Sequence, residues 1–323
     1  MDKRTKEIIK HVGYPVYKVY VQMMNAYYLR HGMKTADKQF FKTFGRHIDW
    51  DDPKDLNEKI NWLKFHEDMR MWARLADKYA VRSYVAERGL EDILIPIYGH
   101  WTTARDVVDA WDSLPERFVL KSNNGSGHVL VVAGEKEKRA INRRDLYKQT
   151  RKWLRERDFG LADAEFQYYY IENCILAEKL LEDSTISSIS KLPIDYKIYC
   201  CNGEPYICYV AYGRNPITHS RKGNLYDLEW NAHPEYMSVQ ENPVTLPKPK
   251  NWERMLEIAR VLSAGHPQSR VDLYNIDGDI FFGEMTMTSG CGFDTEFTQN
   301  LFDAIGREIR LDLSMPTNEF AKK

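Results

Sequence analysis

Arg270, Asp272 and Glu284 carry the clearest chemical signal in the chain, because of what separates them. The stretch from Ser269 to Glu284 places strand formers (Val271, Leu273, then Ile280, Phe281, Phe282) on either side of Asp277-Gly278. Asp-Gly between apolar runs is a hairpin turn signal. Pairing the two strands brings Asp272 and Glu284 toward the same end of the ribbon. Two carboxylates held together repel unless a cation separates them. A hard oxygen-seeking cation such as Mg²⁺ does this well, above all when phosphate oxygens complete its shell. Arg270 shares a face with Asp272 by the two-residue period of a strand, and its guanidinium suits phosphate. The plainer alternative is an ordinary hairpin with solvated charges.

A second group sits upstream. Lys121 ends the apolar run Phe118–Lys121 and leads into Ser122-Asn123-Asn124-Gly125-Ser126-Gly127, after which His128–Val132 reads as a returning strand. The P-loop and the dinucleotide fingerprint both need a helix after the glycines, so neither fits. A small Gly/Ser/Asn loop can instead fold over phosphates and donate backbone N–H groups, with Lys121 neutralising charge. The alternative is a flexible loop beside an exposed lysine. Glu178 lies in the apolar run Cys174–Leu181, where a carboxylate is costly unless paired. At a strand end it can accept from an adenine amino group or a ribose hydroxyl, or it is an edge-strand charge. Asp195 and Lys197 share a face of the strand Ile194–Cys201, Asn202-Gly203 turns it into Glu204–Val210, and Arg214 follows.

The elements that must hold these groups follow from periodicity. Residues 1–47 read as helical and basic, and Tyr14–Met33 as an amphipathic helix packed on the main domain. A membrane surface or a dimer partner is the alternative for it. Asp52-Pro53 starts a helix carrying Leu56, Ile60 and Leu63. A second helix is expected from Met71 to Arg88, with Gly89 as its stop. Ile93–Tyr98 and Tyr168–Ile171 read as strands, Thr103–Trp111 and Arg143–Arg157 as helices, and Ser220–Trp230 as a basic loop. Pro249–Ala264 is a helix with Trp252, Met255, Leu256, Ile258, Ala259 and Leu262 on its apolar face, and Asn300–Ile309 closes the fold.

Composition sets the frame. A chain of 323 residues with 43% hydrophobic and 29% charged residues is ordinary for a globular protein and long enough for a large core. The net charge of −1 gives no global argument for nucleic acid. The five cysteines, Cys174, Cys200, Cys201, Cys208 and Cys291, have no CxxC spacing and read as reduced core residues of a cytoplasmic protein, not a zinc site. Neither a signal peptide nor a transmembrane run of 18 apolar residues is expected.

Taken together, the ordered set resembles the ATP-grasp superfamily, and more closely the TupA-like ATP-grasp family associated with teichuronopeptide and other surface-polysaccharide gene clusters. The matching stretches are Asp55–Ile60, Ala76–Arg82, Phe118–Lys121 with Asn124–Gly127, Asp195–Lys197, Met255–Ala259, Arg270–Asp272 and Phe282–Thr286, over roughly residues 50 to 300. The resemblance implies an α+β ATP-grasp fold, with two α+β subdomains clamping the nucleotide and a helical N-terminal region. The expected divisions are 1–50 (helical segment), 51–117 (reduced linker region), 118–181 (subdomain with the Gly-rich hairpin), 182–315 (subdomain with the metal-binding hairpin) and 316–323 (tail).

The resemblance also implies roles. Lys78 and Lys121 would contact ATP phosphates, and the backbone of Asn124, Gly125, Ser126 and Gly127 would close over the β- and γ-phosphates. Glu178, Lys179 and Leu180 would line the adenine and ribose pocket, with Asp195 on the ribose. Lys197 and Arg214 would flank the γ-phosphate, Arg270 would hold the transferring phosphate, and Asp272 and Glu284 would bind Mg²⁺. Thr286 stands where many ATP-grasp ligases place Asn as a third metal ligand. A hydroxyl is the weaker ligand and would bind through water. The implied activity is ATP-dependent carboxylate–amine ligation through an acylphosphate, on a uronic-acid or other carboxylate of a capsular or surface polysaccharide precursor with an amine or amino acid. Peripheral association with polysaccharide assembly machinery goes with it. A kinase on the same fold, a non-enzymatic scaffold and a glycosyltransferase are the competing readings. The acidic pair and Lys121 argue against the scaffold, and Asp277-Gly278-Asp279 in a turn argues against the transferase.

Overall fold

The computed structural model describes residues 14–156, 159–183, 190, 192–213, 220–239 and 244–321. Helices α1 (Tyr14–Arg30) and α2 (Gly32–Phe44) lead into three short helices, α3 (Leu56–Leu63), α4 (Met69–Ala76) and α5 (Val81–Glu87). Strand β1 (Ile97–Trp101), α6 (Ala104–Ala110), the hairpin β2 (Phe118–Ser122) and β3 (Val129–Val132), α7 (Glu135–Ala140), α8 (Arg143–Arg155) and β4 (Ile175–Lys179) follow. The last part holds β5 (Asp195–Cys201), β6 (Glu204–Tyr212), β7 (Lys222–Tyr226), α9 (Trp252–Ser263), the hairpin β8 (Gln268–Ile276) and β9 (Asp279–Thr286), and α10 (Gln299–Glu308).

Two antiparallel sheets form the frame, ordered β1-β4-β2-β3 and β7-β6-β5-β8-β9. In the four-stranded sheet, Phe118, Leu120, Ile175 and Ala177 point to one face. There they pack against Val107, Trp111, Leu146 and Trp153 from the α6 and α8 side. Alternation sends Val119, Lys121 and Glu178 to the opposite face.

The five-stranded sheet is covered on both faces. Tyr196, Ile198, Cys200, Val271 and Leu273 join Met255, Ile258, Ala259 and Leu262 of α9 in the main core. Tyr199, Cys201, Ile207 and Tyr209 pack on the other face against Leu56 and Ile60 of α3 and Leu301, Phe302 and Ile305 of α10. This second cover stops short. Asp195 and Lys197 on β5 and Asp272 on β8 lie on the same face as Tyr199, beyond the end of the α3–α10 layer, so a polar row emerges where the apolar cover ends.

The turns follow the sequence. Asn202-Gly203 (φ 52° and 84°) and Asp277-Gly278 (φ 53° and 105°) both adopt the left-handed conformation of type I′ turns. All five cysteines are free thiols, four of them buried.

Several expectations are corrected. The helix expected from Asp52-Pro53 begins instead at Leu56. Asp55 is its N-cap, accepting from the Glu58 N–H at 2.9 Å, while Glu58 accepts from the Lys54 N–H at 2.9 Å, a reciprocal cap that outcompetes Asp52. The helix expected over Met71–Arg88 is two helices. Asp77 breaks it, because its carboxylate accepts from the N–H groups of Tyr79 and Ala80. The 3₁₀ turn Glu91–Ile93 and an extended link come first, and the strand starts at Ile97. Phe166–Tyr170 is a 3₁₀ helix rather than a strand. Within the expected basic loop, Lys222–Tyr226 is edge strand β7. Its Gly223 admits the Tyr209 ring, which a Cβ there would meet at 2.1 Å.

Candidate active site

The β8–β9 ladder places Asp272 directly opposite Glu284 and Arg270 opposite Thr286. One extra residue, Gly283, bulges β9 at this point, and a Cβ on it would stand 2.9 Å from the Asp272 carbonyl oxygen. The bulge re-aims Glu284 at the end of the hairpin. On the other side of β8, Lys197 is the cross-strand partner of Asp272.

These registers make one row of charges. Arg270 grips Asp272 with both prongs, Nε to Oδ1 at 2.7 Å and Nη2 to Oδ2 at 2.8 Å. Lys197 Nζ donates to Asp272 Oδ2 and also meets Asp195 Oδ2 at 2.7 Å. Arg270 Nη2 further donates to Thr286 Oγ1 at 3.1 Å and stands 3.7 Å from Glu284 Oε1. Asp272 is 1% exposed, whereas the Glu284 side chain is 43% exposed. Burial alone would raise the Asp272 carboxyl, but the Arg270 and Lys197 cations outweigh it and hold it below the ordinary carboxylate value. Burial would likewise lower Lys197, and Asp195 and Asp272 outweigh it, so its ammonium is raised. Both groups stay ionised.

The facing jaw is the β2–β3 hairpin. Lys121 Nζ meets Glu178 Oε2 at 2.6 Å across the β2–β4 pair, so the buried carboxylate is paired. Gly125 (φ 70°) and Gly127 (φ 81°) take left-handed conformations in the loop. A Cβ on Gly125 would also press on the Phe159 ring at 2.9 Å. Asn124 does not line the cleft. It is buried beneath the loop, its Nδ2 donating to Asn173 Oδ1 at 3.0 Å, while Ser122 Oγ donates to its carbonyl at 2.8 Å.

Lys78 arrives from the break between α4 and α5. Its Nζ donates to the Gly125 carbonyl at 2.6 Å and its N–H to the Asn123 carbonyl at 3.1 Å. Burial lowers this ammonium, with the Lys121 charge adding to the effect against Glu284. Asn123 ties the three parts together: its Nδ2 donates to Asp77 Oδ2 at 2.9 Å and to the Glu172 carbonyl, and its Oδ1 accepts from the Cys174 N–H at 2.7 Å. No periodicity or turn rule marks Asn123. Only its place in a polar loop beside Lys121 could have drawn attention to it.

Between the jaws lies a cleft of about 380 Å³. Its charged lining is Lys78, Lys121, Glu178, Lys179, Asp195, Lys197, Asp272 and Glu284, with Gly125, Ser126 and Gly127, and its apolar lining includes Val119, Val131, Leu180, Leu192 and Pro193. Tyr274 and Gly283 also line it and were not singled out in the sequence. Arg270 and Thr286 sit immediately behind Asp272 and Glu284. Arg214 lies outside the described residues. Among the described residues no three His, Cys, Asp or Glu side chains form a metal-holding group, so Asp272 and Glu284 are an acidic pair and not a closed metal cage.

No helix among the described residues is long and apolar enough to cross a membrane. The chain is distantly similar to solved D-alanine–D-alanine ligases. That of Helicobacter pylori is 13% identical, with 79% of this chain and 69% of that one covered and a TM-score of 0.43. For that of Bacillus anthracis the figures are 12%, 76%, 69% and 0.41. For D-cycloserine synthetase DcsG they are 15%, 75%, 71% and 0.41. No curated protein matches the chain. The family described as TupA-like ATPgrasp matches residues 58–310, a span that holds both jaws and every described residue of the charged row. The chain belongs to the TupA-like ATP-grasp family.

Proposed function

We propose that the protein is an ATP-dependent carboxylate–amine ligase that forms an amide through an acylphosphate. The observation that carries this reading is the charged row Lys197–Asp272–Arg270 with Glu284, facing a glycine loop and two lysines across one cleft. The adenine and ribose lie beside Glu178, Lys179 and Leu180, with Asp195 on the ribose side. The phosphates lie under Gly125–Gly127, their charge neutralised by Lys78 and Lys121. Lys197 and Arg214 flank the γ-phosphate, and Arg270 steadies it as it transfers. The two halves of the clamp are residues 118–181 and 182–315.

Asp272 and Glu284 fit Mg²⁺. They offer oxygens only, and an acidic pair without a third carboxylate leaves the rest of the shell to phosphate oxygens and water, as this ion prefers. Bound there, the ion would neutralise charge on the β- and γ-phosphates. Asp272 keeps lone pairs to spare although Arg270 and Lys197 both donate to it. Thr286 is assigned to orient Arg270, through the hydrogen bond its hydroxyl accepts.

In the reaction a substrate carboxylate oxygen attacks the γ-phosphorus and ADP leaves, giving a mixed anhydride. The amine nitrogen then attacks the acyl carbon, loses a proton, and inorganic phosphate departs. The residues of the cleft act by positioning and by charge neutralisation, and no enzyme nucleophile is required. The substrate pair we assign is the one the resemblance in the sequence implies, a uronic acid or other carboxylate of a surface-polysaccharide precursor with an amine or amino acid. ATP supply places the reaction in the cytoplasm.

The test incubates the protein with ATP, Mg²⁺ and a matrix of uronic acids and amines, following ADP and phosphate release and the product's mass. ADP and phosphate released together with an amide supports the ligase. ADP with a stable phosphorylated product and no amide makes the protein a kinase instead, and no turnover or nucleotide binding with any pair overturns the reading.

A further inference from the structure

Helix α1 precedes the span matched by the family and is apolar on two sides. Its inner side rests on the main core through Tyr28 and Leu29, with Met33 just beyond. Its outer side carries Val16, Val19, Tyr20, Met23 and Tyr27, spaced as i, i+3, i+4, i+7 and i+11, so they form one stripe. That stripe is bare: Met23 is 67% exposed, Val19 55% and Val16 53%. An ordinary surface helix keeps charged residues on its outer face, and exposed apolar stripes mark contact with something else.

Charge identifies the occupant. From Ile8 to Ala36 the sequence has no Asp or Glu, although acids number 47 in 323 residues. The same segment holds Lys10, Lys18, Arg30 and Lys34, in a chain whose net charge is −1. A second copy seated on this stripe would oppose like charges. An anionic bilayer surface suits both features, the apolar stripe entering the headgroup boundary and the segment's net positive charge balancing lipid phosphates. Tyr20 and Tyr27 have the ring-and-hydroxyl form that settles at such interfaces.

We propose that the outer face of α1 is a membrane-surface docking site, binding anionic lipid bilayers with the helix lying in the interface. The ATP-grasp cleft would then work beside a membrane.

The test is co-sedimentation of the full chain with vesicles of phosphatidylcholine alone and of phosphatidylcholine with phosphatidylglycerol in equal parts. Binding is expected to the anionic vesicles and to weaken with added salt, since the electrostatic share is screened. The double variant V19D/M23D removes two exposed apolar contacts and should cut the partition coefficient roughly 100-fold. Its far-UV circular dichroism and melting temperature should match the parent, which separates lost docking from lost folding. Equal failure of parent and variant to sediment with anionic vesicles overturns the proposal. So does a parent dimer in analytical ultracentrifugation that V19D/M23D dissolves while neither form binds vesicles, because the stripe then meets a second copy.

Discussion

Asp272 and Glu284 stand opposite each other across one ladder, yet one is sealed and the other open. Asp272 is held by the Arg270 fork and by Lys197, while Glu284 reaches the cleft with nearly half its side chain exposed and only a 3.7 Å approach from Arg270. The two carboxylates therefore differ in what they do for the fold. Glu284→Gln keeps the shape and removes one charge from an open site. ATP turnover is expected to fall by about 100-fold or more, the scale of losing a group that stabilises transition-state charge. Stability should stay within about 0.5 kcal/mol, as for a surface change. ADP release at saturating Mg²⁺, with a urea melt alongside, checks both; full turnover in this variant would sink the metal assignment.

Asp272→Asn should behave differently. The variant leaves Arg270 buried on a neutral partner and Lys197 with Asp195 as its remaining anion, and breaking a buried ion pair from one side costs about 3–5 kcal/mol. Turnover and urea midpoint should both drop. Adding Lys197→Met takes one cation from the row but also takes the 2.7 Å partner of Asp195, so the double variant should cost less than the sum of the two single ones and recover none of the activity. A double-mutant cycle by urea denaturation measures that coupling; strict additivity would show that the two groups do not act on each other.

What the sequence revealed of this site was local, and what it hid was long-range. Asp277-Gly278 and Asn202-Gly203 marked their hairpins because the backbone of a type I′ turn demands those residue types. Period-2 alternation put Arg270 with Asp272 and Asp195 with Lys197, and both pairs share a face in the structure. That Lys197 would oppose Asp272 follows from the β5–β8 register, between strands seventy-odd positions apart, and no local rule reaches so far. Lys78 shows the opposite case. Its turn is hidden in an apolar pattern that continues through Asp77, although an Asp whose carboxylate can accept from the N–H groups two and three residues on is itself a cap signal. Edge strand β7 was missed because Lys222-Gly223-Asn224 has weak strand propensity, and its place is set by the Tyr209 ring that Gly223 accommodates.

Thr286 gives a prediction that separates orienting Arg270 from binding metal. Its hydroxyl accepts from Arg270 Nη2, so Thr286→Val should free one guanidinium N–H and lower kcat about tenfold, near 1.4 kcal/mol. The Mg²⁺ concentration for half-maximal activity should not move. A rise in that concentration, with kcat recovered at high Mg²⁺, would instead make Thr286 a ligand.

His266 sets a pH dependence away from the cleft. Burial, with the Arg88 charge adding to it, lowers its imidazole to about 4, and its Nε2 pairs with the Tyr84 hydroxyl at 3.1 Å. An unfolded histidine titrates near 6.5, so between about pH 6.5 and 4 the unfolded chain binds more protons at this site than the folded one. The histidine's contribution to stability is thus whole above pH 6.5 and lost as the pH falls toward 4. The full shift corresponds to about 3 kcal/mol, and the ring's partial exposure reduces this to roughly 1–2 kcal/mol. His266→Gln has no proton to gain, so its stability should fall less between pH 7 and pH 4.5 than the parent's. Urea melts of both proteins at several pH values measure the gap, which should narrow steadily with acidification; parallel curves would show that His266 is protonated as readily in the fold as outside it.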